Sequence, residues 1–127
     1  MYTISKKFEF CASHCLDHLP PDHPCSRIHG HNYSVEVVLE SDELDENGFV
    51  LDYRKLDIVK IKIDEKLDHQ HLNNAMEGLK PTAELIAKML YEWIYAAVIC
   101  DETIRKDLKL SAVRVSETGK TWAEYRK

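Results

Sequence analysis

The sequence predicts an α+β fold with a mainly antiparallel sheet, and three observations carry that prediction. Two long stretches near the N-terminus alternate apolar and polar residues with period two; two stretches in the middle repeat apolar residues every three or four positions; and another alternating stretch, broken by Gly119-Lys120, closes the chain. The order strand, strand, strand, helix, helix, strand, strand groups the helices together, whereas a parallel sheet would interleave them with strands.

The first strand runs from Tyr2 to His14, with Ile4, Phe8, Phe10 and Ala12 apolar and Ser5, Lys7 and Glu9 polar. His14 lies on the apolar phase. Asp17 to Arg27 carries Pro20, Pro21 and Pro24 among polar residues and reads as a loop. Alternation resumes at His29, where His29, His31, Tyr33, Val35, Val37 and Leu39 share one face. The acidic segment Ser41 to Gly48 ends in Glu46-Asn47-Gly48, a turn signal that predicts Phe49-Val50-Leu51 as a returning strand. Asp52 is placed to cap a helix with Leu56, Val59, Ile63 and Leu67 on one side. Pro81-Thr82 opens a second helix with Leu85, Met89, Trp93 and Ala97 along one side, broadened by Ile86, Leu90 and Ile94. Leu110 to Thr118 and Trp122 to Tyr125 form a closing hairpin.

A chain of 127 residues suits one domain, residues 1–127. Its 44% hydrophobic and 31% charged residues are those of a globular protein. A net charge of -5 excludes a broad electrostatic footprint for nucleic acid. No stretch reaches the roughly 20 apolar residues of a membrane span, and the first residues lack the apolar centre of a signal peptide. These features place the protein in the cytosol, where Cys11, Cys15, Cys25 and Cys100 are expected as free thiols. Cys11 and Cys100 read as small buried hydrophobes.

Five of the seven histidines, His14, His18, His23, His29 and His31, fall within 18 consecutive positions. Residues two apart on a strand point the same way, so His29-Gly30-His31 presents two imidazoles side by side, with Gly30 leaving room for a close backbone approach. His14 supplies a third if the first two strands are neighbours. Three imidazoles with an open fourth position is a catalytic zinc arrangement. The competing readings are an ordinary hydrogen-bonded histidine pair, or a ligand set drawing on Cys25, or on Cys11 and Cys15, since thiolates also bind zinc. His18 and His23 read as exposed loop residues.

Asp68 and His69 follow the first helix. A carboxylate beside an imidazole can orient it and support its charged form, and a thiol within reach would complete a proton-transfer set; the same pair could simply satisfy the helix end. Glu117 continues the Val113-Val115 phase and should point inward, where a carboxylate needs donors. Those donors are either the N–H groups of a bound ligand, or Thr82 and backbone amides.

Taken together, Phe8-x-Phe10-x-Ala12-x-His14, Cys25-x3-His29-Gly30-His31-Asn32, Leu67-Asp68-His69-x2-Leu72-Asn73, Pro81-Thr82-x-Glu84 and Val115-x-Glu117-Thr118 resemble the motifs of the 6-pyruvoyltetrahydropterin synthase / 6-carboxytetrahydropterin synthase family. The five motifs occur in order across residues 8 to 118. The resemblance implies the tunnelling fold, an antiparallel sheet with two helices packed on one face. It implies zinc held by His14, His29 and His31, proton transfer by Cys25, Asp68 and His69, and a pterin ring anchored by Glu117 with Thr82 beside it. Arg27, Lys80 and Lys120 are the candidates for triphosphate contacts. It further implies a homohexamer assembled as a dimer of trimers, with sites at subunit interfaces, so that Cys25 and His69 need not share a chain. The three residues between Cys25 and His29 look like the 6-carboxytetrahydropterin synthases of queuosine biosynthesis, which act on 7,8-dihydroneopterin triphosphate. Rivals are pyruvoyl-tetrahydropterin formation or dihydroneopterin cleavage on the same scaffold, and a non-enzymatic, zinc-stabilised binding protein.

Overall fold

A computed structural model describes residues 1–127. Its sheet has five strands in the order β3-β1-β2-β4-β5, where β1 is Tyr2–His14, β2 His29–Ser41, β3 Gln70–His71, β4 Lys109–Thr118 and β5 Thr121–Tyr125. All neighbours are antiparallel except β3, which lies parallel to β1. Three helices complete the fold: α1 (Asp57–Lys66), the single turn α2 (Leu72–Ala75) and α3 (Ala83–Ile94).

The strand phases read from the sequence decide the layering. Phe8, Phe10, Ala12 and His14 of β1, and Tyr33, Val35, Val37 and Leu39 of β2, are buried on one face. Val113 and Val115 of β4 extend that face, and it packs against the helices in one core of 26 residues. α1 contributes Val59 and Ile63, flanked by Leu56 and Leu67. Its N-terminal end is a 3-10 turn, Tyr53–Leu56, capped by the Asp52 carboxylate on the Arg54 N–H. α3 starts at Thr82, whose hydroxyl oxygen accepts the Leu85 N–H at 3.3 Å. Burying Ile86, Leu90 and Ile94 stabilises the fold by about 1.5–3 kcal/mol each, while helix propensities differ by at most about 0.7 kcal/mol per ordinary residue. Packing, not propensity, therefore fixes α3.

Several expectations are corrected. Phe49-Val50-Leu51 is not a strand: Val50 and Leu51 are buried, but the segment is held as a loop by Asp45, whose main chain bonds Phe49 and whose carboxylate accepts the Asn47 and Phe49 N–H groups. β1 and β2 pair with each other instead, His14 opposite His29 and Tyr2 opposite Ser41. On α3 both expected rows reach the core, Ile86, Leu90 and Ile94 most fully, with Met89 buried and Leu85, Trp93 and Ala97 packed at its margin, and the helix ends in a π turn, Tyr95–Ile99. A third helix, α2, and the short parallel strand β3 add to the expected elements. Cys11 and Cys100 are exposed: Cys11 takes the outward phase of β1, and Cys100 sits past the end of the π turn. Nor does Gly30 relieve crowding, since a Cβ there would meet only the Ala12 carbonyl at an ordinary 3.5 Å.

Candidate metal centre and the residues around it

The β1–β2 register sets three imidazoles together. His14 lies directly opposite His29, and Ala12 lies opposite His31, so all three rings project from the core face at one end of the two strands. One ring nitrogen from each falls within 4.8 Å of the others. No cysteine or carboxylate joins this group, so the alternative ligand sets built on Cys11, Cys15 or Cys25 are not brought together.

Hydrogen bonds fix the tautomers. His14 Nδ1 lies 2.7 Å from the Pro81 carbonyl oxygen, and His29 Nδ1 lies 2.7 Å from that of Arg27. A carbonyl only accepts, so both Nδ1 atoms carry hydrogen and both Nε2 atoms present lone pairs. Those two Nε2 atoms stand 2.9 Å apart. Two lone pairs at that distance repel unless a cation sits between them or one ring is protonated, and burial opposes protonation: desolvation lowers the His14 pKa, against the raising influence of the Pro81 carbonyl and Glu117. His31 Nε2 is itself buried with no hydrogen-bond partner. Imidazoles anchored through Nδ1 to carbonyls, with Nε2 lone pairs converging, form the donor set that suits a divalent ion such as zinc.

Glu117 stands beside the open side of this set. Its carboxylate oxygens are 4.0 Å from His14 Nε2 and 3.7 Å from His31 Nε2, and its side chain is 28% exposed. The expected bond to Thr82 is not made, because the Thr82 oxygen serves as the cap of α3. Both residues nonetheless line one pocket of about 240 Å³, with Leu16, Glu84, Thr121 and Trp122 among its other walls. Larger clefts lie around Arg105 and around Arg114, but the converging ligand atoms are those of His14, His29 and His31, so volume alone does not locate the site. Tyr33 forms part of the floor, its ring 5.5 Å from that of His31. Its buried hydroxyl has no partner, and burial, then the Glu117 charge, pushes its pKa well above the usual value.

The acid-base candidates lie elsewhere on the chain. Asp68 accepts the Cys11 N–H at 2.9 Å and holds His69 Nδ1 at 2.8 Å; the Cys11 amide first, then His69, keeps its pKa below the usual carboxylate value. The His69 N–H in turn bonds the Cys11 carbonyl at 2.6 Å. His69 has φ +59°, a left-handed conformation that costs about 1 kcal/mol or more for a side chain with a Cβ; its own N–H on the Cys11 carbonyl and the Asp68 carboxylate on the Cys11 N–H hold it. The imidazole is 81% exposed and projects at the β3 edge, on the opposite side of β1 from β2. Cys25 is half-buried in the 3-10 turn Pro24–Ser26, its carbonyl accepting the Leu16 N–H at 2.7 Å. Within one chain no hydrogen bond joins Cys25 to the Asp68–His69 pair or to the histidine triad.

His18 and His23 are exposed, His23 Nδ1 accepting the Cys25 N–H at 3.1 Å. Arg27, Lys80 and Lys120 are exposed and form no ion pair. Sequence reasoning did not find the part played by the Arg27 and Pro81 carbonyls in orienting His29 and His14. Main-chain groups leave no residue-type signal.

The family model described as 6-pyruvoyl tetrahydropterin synthase matches residues 3–127. The chain is 31% identical over 150 aligned positions to the 6-carboxy-5,6,7,8-tetrahydropterin synthase of Haemophilus influenzae, covering 98% of this chain and 99% of that one. It is 40% identical to the dihydroneopterin monophosphate aldolase of Pyrococcus furiosus over a shorter span, 64% of this chain and 59% of that one. The Caenorhabditis elegans 6-pyruvoyl tetrahydropterin synthase structure superposes with a TM-score of 0.82 over 99% of this chain and 95% of that one, at 24% identity, so the architecture is shared well beyond sequence.

Proposed function

The chain belongs to the 6-pyruvoyl tetrahydropterin synthase family, and from that premise we propose that it is a zinc-dependent 6-carboxy-5,6,7,8-tetrahydropterin synthase. The reaction takes 7,8-dihydroneopterin triphosphate and water to 6-carboxytetrahydropterin, acetaldehyde and triphosphate, a lyase step toward 7-deazapurines such as queuosine, carried out in the cytosol. The observation that carries the reading is the convergence of unprotonated His14 and His29 nitrogens with a His31 nitrogen that makes no hydrogen bond, beside the Glu117 carboxylate, which accepts none. A structural zinc site would be closed by a fourth protein ligand; here the triad opens toward Glu117 and the pocket it shares with Thr82.

Zinc bound by His14, His29 and His31 supplies Lewis-acid polarisation of side-chain oxygens. Glu117 takes the N–H groups of the pterin 2-amino and ring nitrogen in a two-point contact, which places the substrate side chain toward the triad. Asp68 holds His69 with Nδ1 protonated, leaving Nε2 free to accept and return a proton, and the Cys25 thiol is its counterpart. Arg27 offers an unpaired guanidinium to the triphosphate. The separation of Asp68–His69 from Cys25 within one chain supports a homo-oligomer, a dimer of trimers, in which the pair on one chain serves the triad of the next. The unpaired outer side of β1 over residues 2–10 and the outer edge of β5 offer strands for such pairing.

The P. furiosus relative favours one alternative on the same scaffold, cleavage of a dihydroneopterin. The near-complete span shared with the H. influenzae synthase favours the carboxy reaction. Incubating zinc-loaded protein with 7,8-dihydroneopterin triphosphate, with a metal-stripped control, separates them by mass spectrometry. Zinc-dependent 6-carboxytetrahydropterin with acetaldehyde is the expected result; a pyruvoyl-tetrahydropterin, or a pterin shortened without loss of triphosphate, would overturn it.

A further inference from the structure

Past the His14–His29 pair the β1–β2 ladder stops, yet the next residue, Cys15, has both main-chain groups satisfied. The Asn73 side chain does this alone: its Oδ1 accepts the Cys15 N–H at 2.9 Å, and its Nδ2 donates to the Cys15 carbonyl at 2.8 Å. A carboxamide carries one acceptor and one donor group in a plane, as a peptide does, so Asn73 supplies the rung a neighbouring strand would have supplied. It comes from α2, which Leu72, with no exposed surface, plugs into the core. Asn74, the next residue, is exposed and uses its side chain for nothing comparable.

The gripped residue is the one between two parts of the site. On one side is His14, whose ring is held at Nδ1 by Pro81; on the other is Leu16, whose N–H holds the Cys25 carbonyl at 2.7 Å. We infer that Asn73 is a positioning residue: its two-point hold on Cys15 sets the spacing between the metal ligand His14 and the turn that carries Cys25. This rests on reading His14 as a metal ligand.

The test measures zinc affinity by chelator competition, the visible spectrum of the cobalt-substituted protein, and kcat and KM, in wild type, Asn73→Ala and Asn73→Asp. Asp52→Ala, which removes a remote helix cap, serves as a control for loss of stability alone. Asn73→Ala should weaken zinc binding by about tenfold or more, the usual cost of losing support behind a ligand. It should alter the cobalt spectrum and lower kcat with little change in KM, because Glu117 stands on β4. Asn73→Asp, which keeps the acceptor and loses the donor, guards against a variant that does not fold and should shift the spectrum the same way. Asp52→Ala should lower the thermal midpoint and leave affinity and spectrum untouched. Wild-type affinity and spectrum in both Asn73 variants would overturn the inference while leaving the metal reading intact. A folded wild type that binds neither zinc nor cobalt would remove both.

Discussion

The two ends of β2 make opposite use of buried polarity. Tyrosines aside, the residues buried with a polar side chain are His14, beside the first residue of β2, and Ser41, its last. The Ser41 hydroxyl lies 2.8 Å from both the Glu43 carbonyl and Asp107, with one hydrogen to share between them, and accepts from Arg105, whose guanidinium also reaches Asp107 and the Glu43 carbonyl. Every group there answers another. At the other end, two imidazole nitrogens face each other without a hydrogen between them, a third has no partner, and Glu117 accepts nothing. Polarity that is closed on itself holds a fold together; polarity left open in a well-packed frame is kept for something that arrives from outside.

The largest expected effect breaks the open end. His31→Ala removes a nitrogen that has no partner, so metal content by mass spectrometry should fall to background and turnover should be lost. The metal-free thermal midpoint should move by only a few degrees, because no hydrogen bond is lost; unchanged zinc content would remove His31 from the ligand set. The closed end should respond in reverse. Ser41→Ala deletes a fully buried hydroxyl and should cost about 1–2 kcal/mol in urea denaturation, with zinc content and kcat unchanged; a variant as stable as wild type would mean the Arg105–Asp107 pair closes without it.

The smallest effect is one of pH. The Arg105 guanidinium first, then the Ser41 hydroxyl, hold the Asp107 carboxyl well below the usual carboxylate range. Its pKa is thus lower folded than unfolded, so its contribution is present above about pH 4, the unfolded value, and is lost as pH falls below that. The stability gap between wild type and Asp107→Asn should therefore be present at pH 7 and shrink by pH 3. A gap independent of pH would mean the carboxylate is not the stabilising form.

What the sequence disclosed depends on how locally each feature is encoded. Strand phase is local, and it placed His14, His29, His31 and Glu117 on the core face without further information. Helix capping at Asp52 and Thr82 is local too. Phe49 to Leu51 misled because an apolar run after Asn47-Gly48 buries equally well in a loop, and the choice was made by the Asp45 side chain. The pairing of β3 with β1 joins residues 58 positions apart, so the placing of Asp68 and His69 at the sheet edge could not be read from their neighbours. The face of α3 was legible as a whole, but which of its two rows lies deepest was not, because Leu85, Met89 and Trp93 are as apolar as Ile86, Leu90 and Ile94. Asp68, His69 and Glu117 stand out as candidates by residue type and position, whereas the part expected of Cys25 rests on motif resemblance, since within one chain no hydrogen bond joins it to Asp68 or His69.

Cys11 grips Asp68 and His69 entirely through its peptide groups, while its thiol points away from the core. The thiol donates separately to Asn32 Oδ1 at 3.0 Å, so the grip on Asp68 and His69 does not depend on which side chain stands there. Nineteen of the twenty residues carry the same N–H and C=O, proline alone lacking the first. Any residue but proline at this position presents the same two groups to Asp68 and His69.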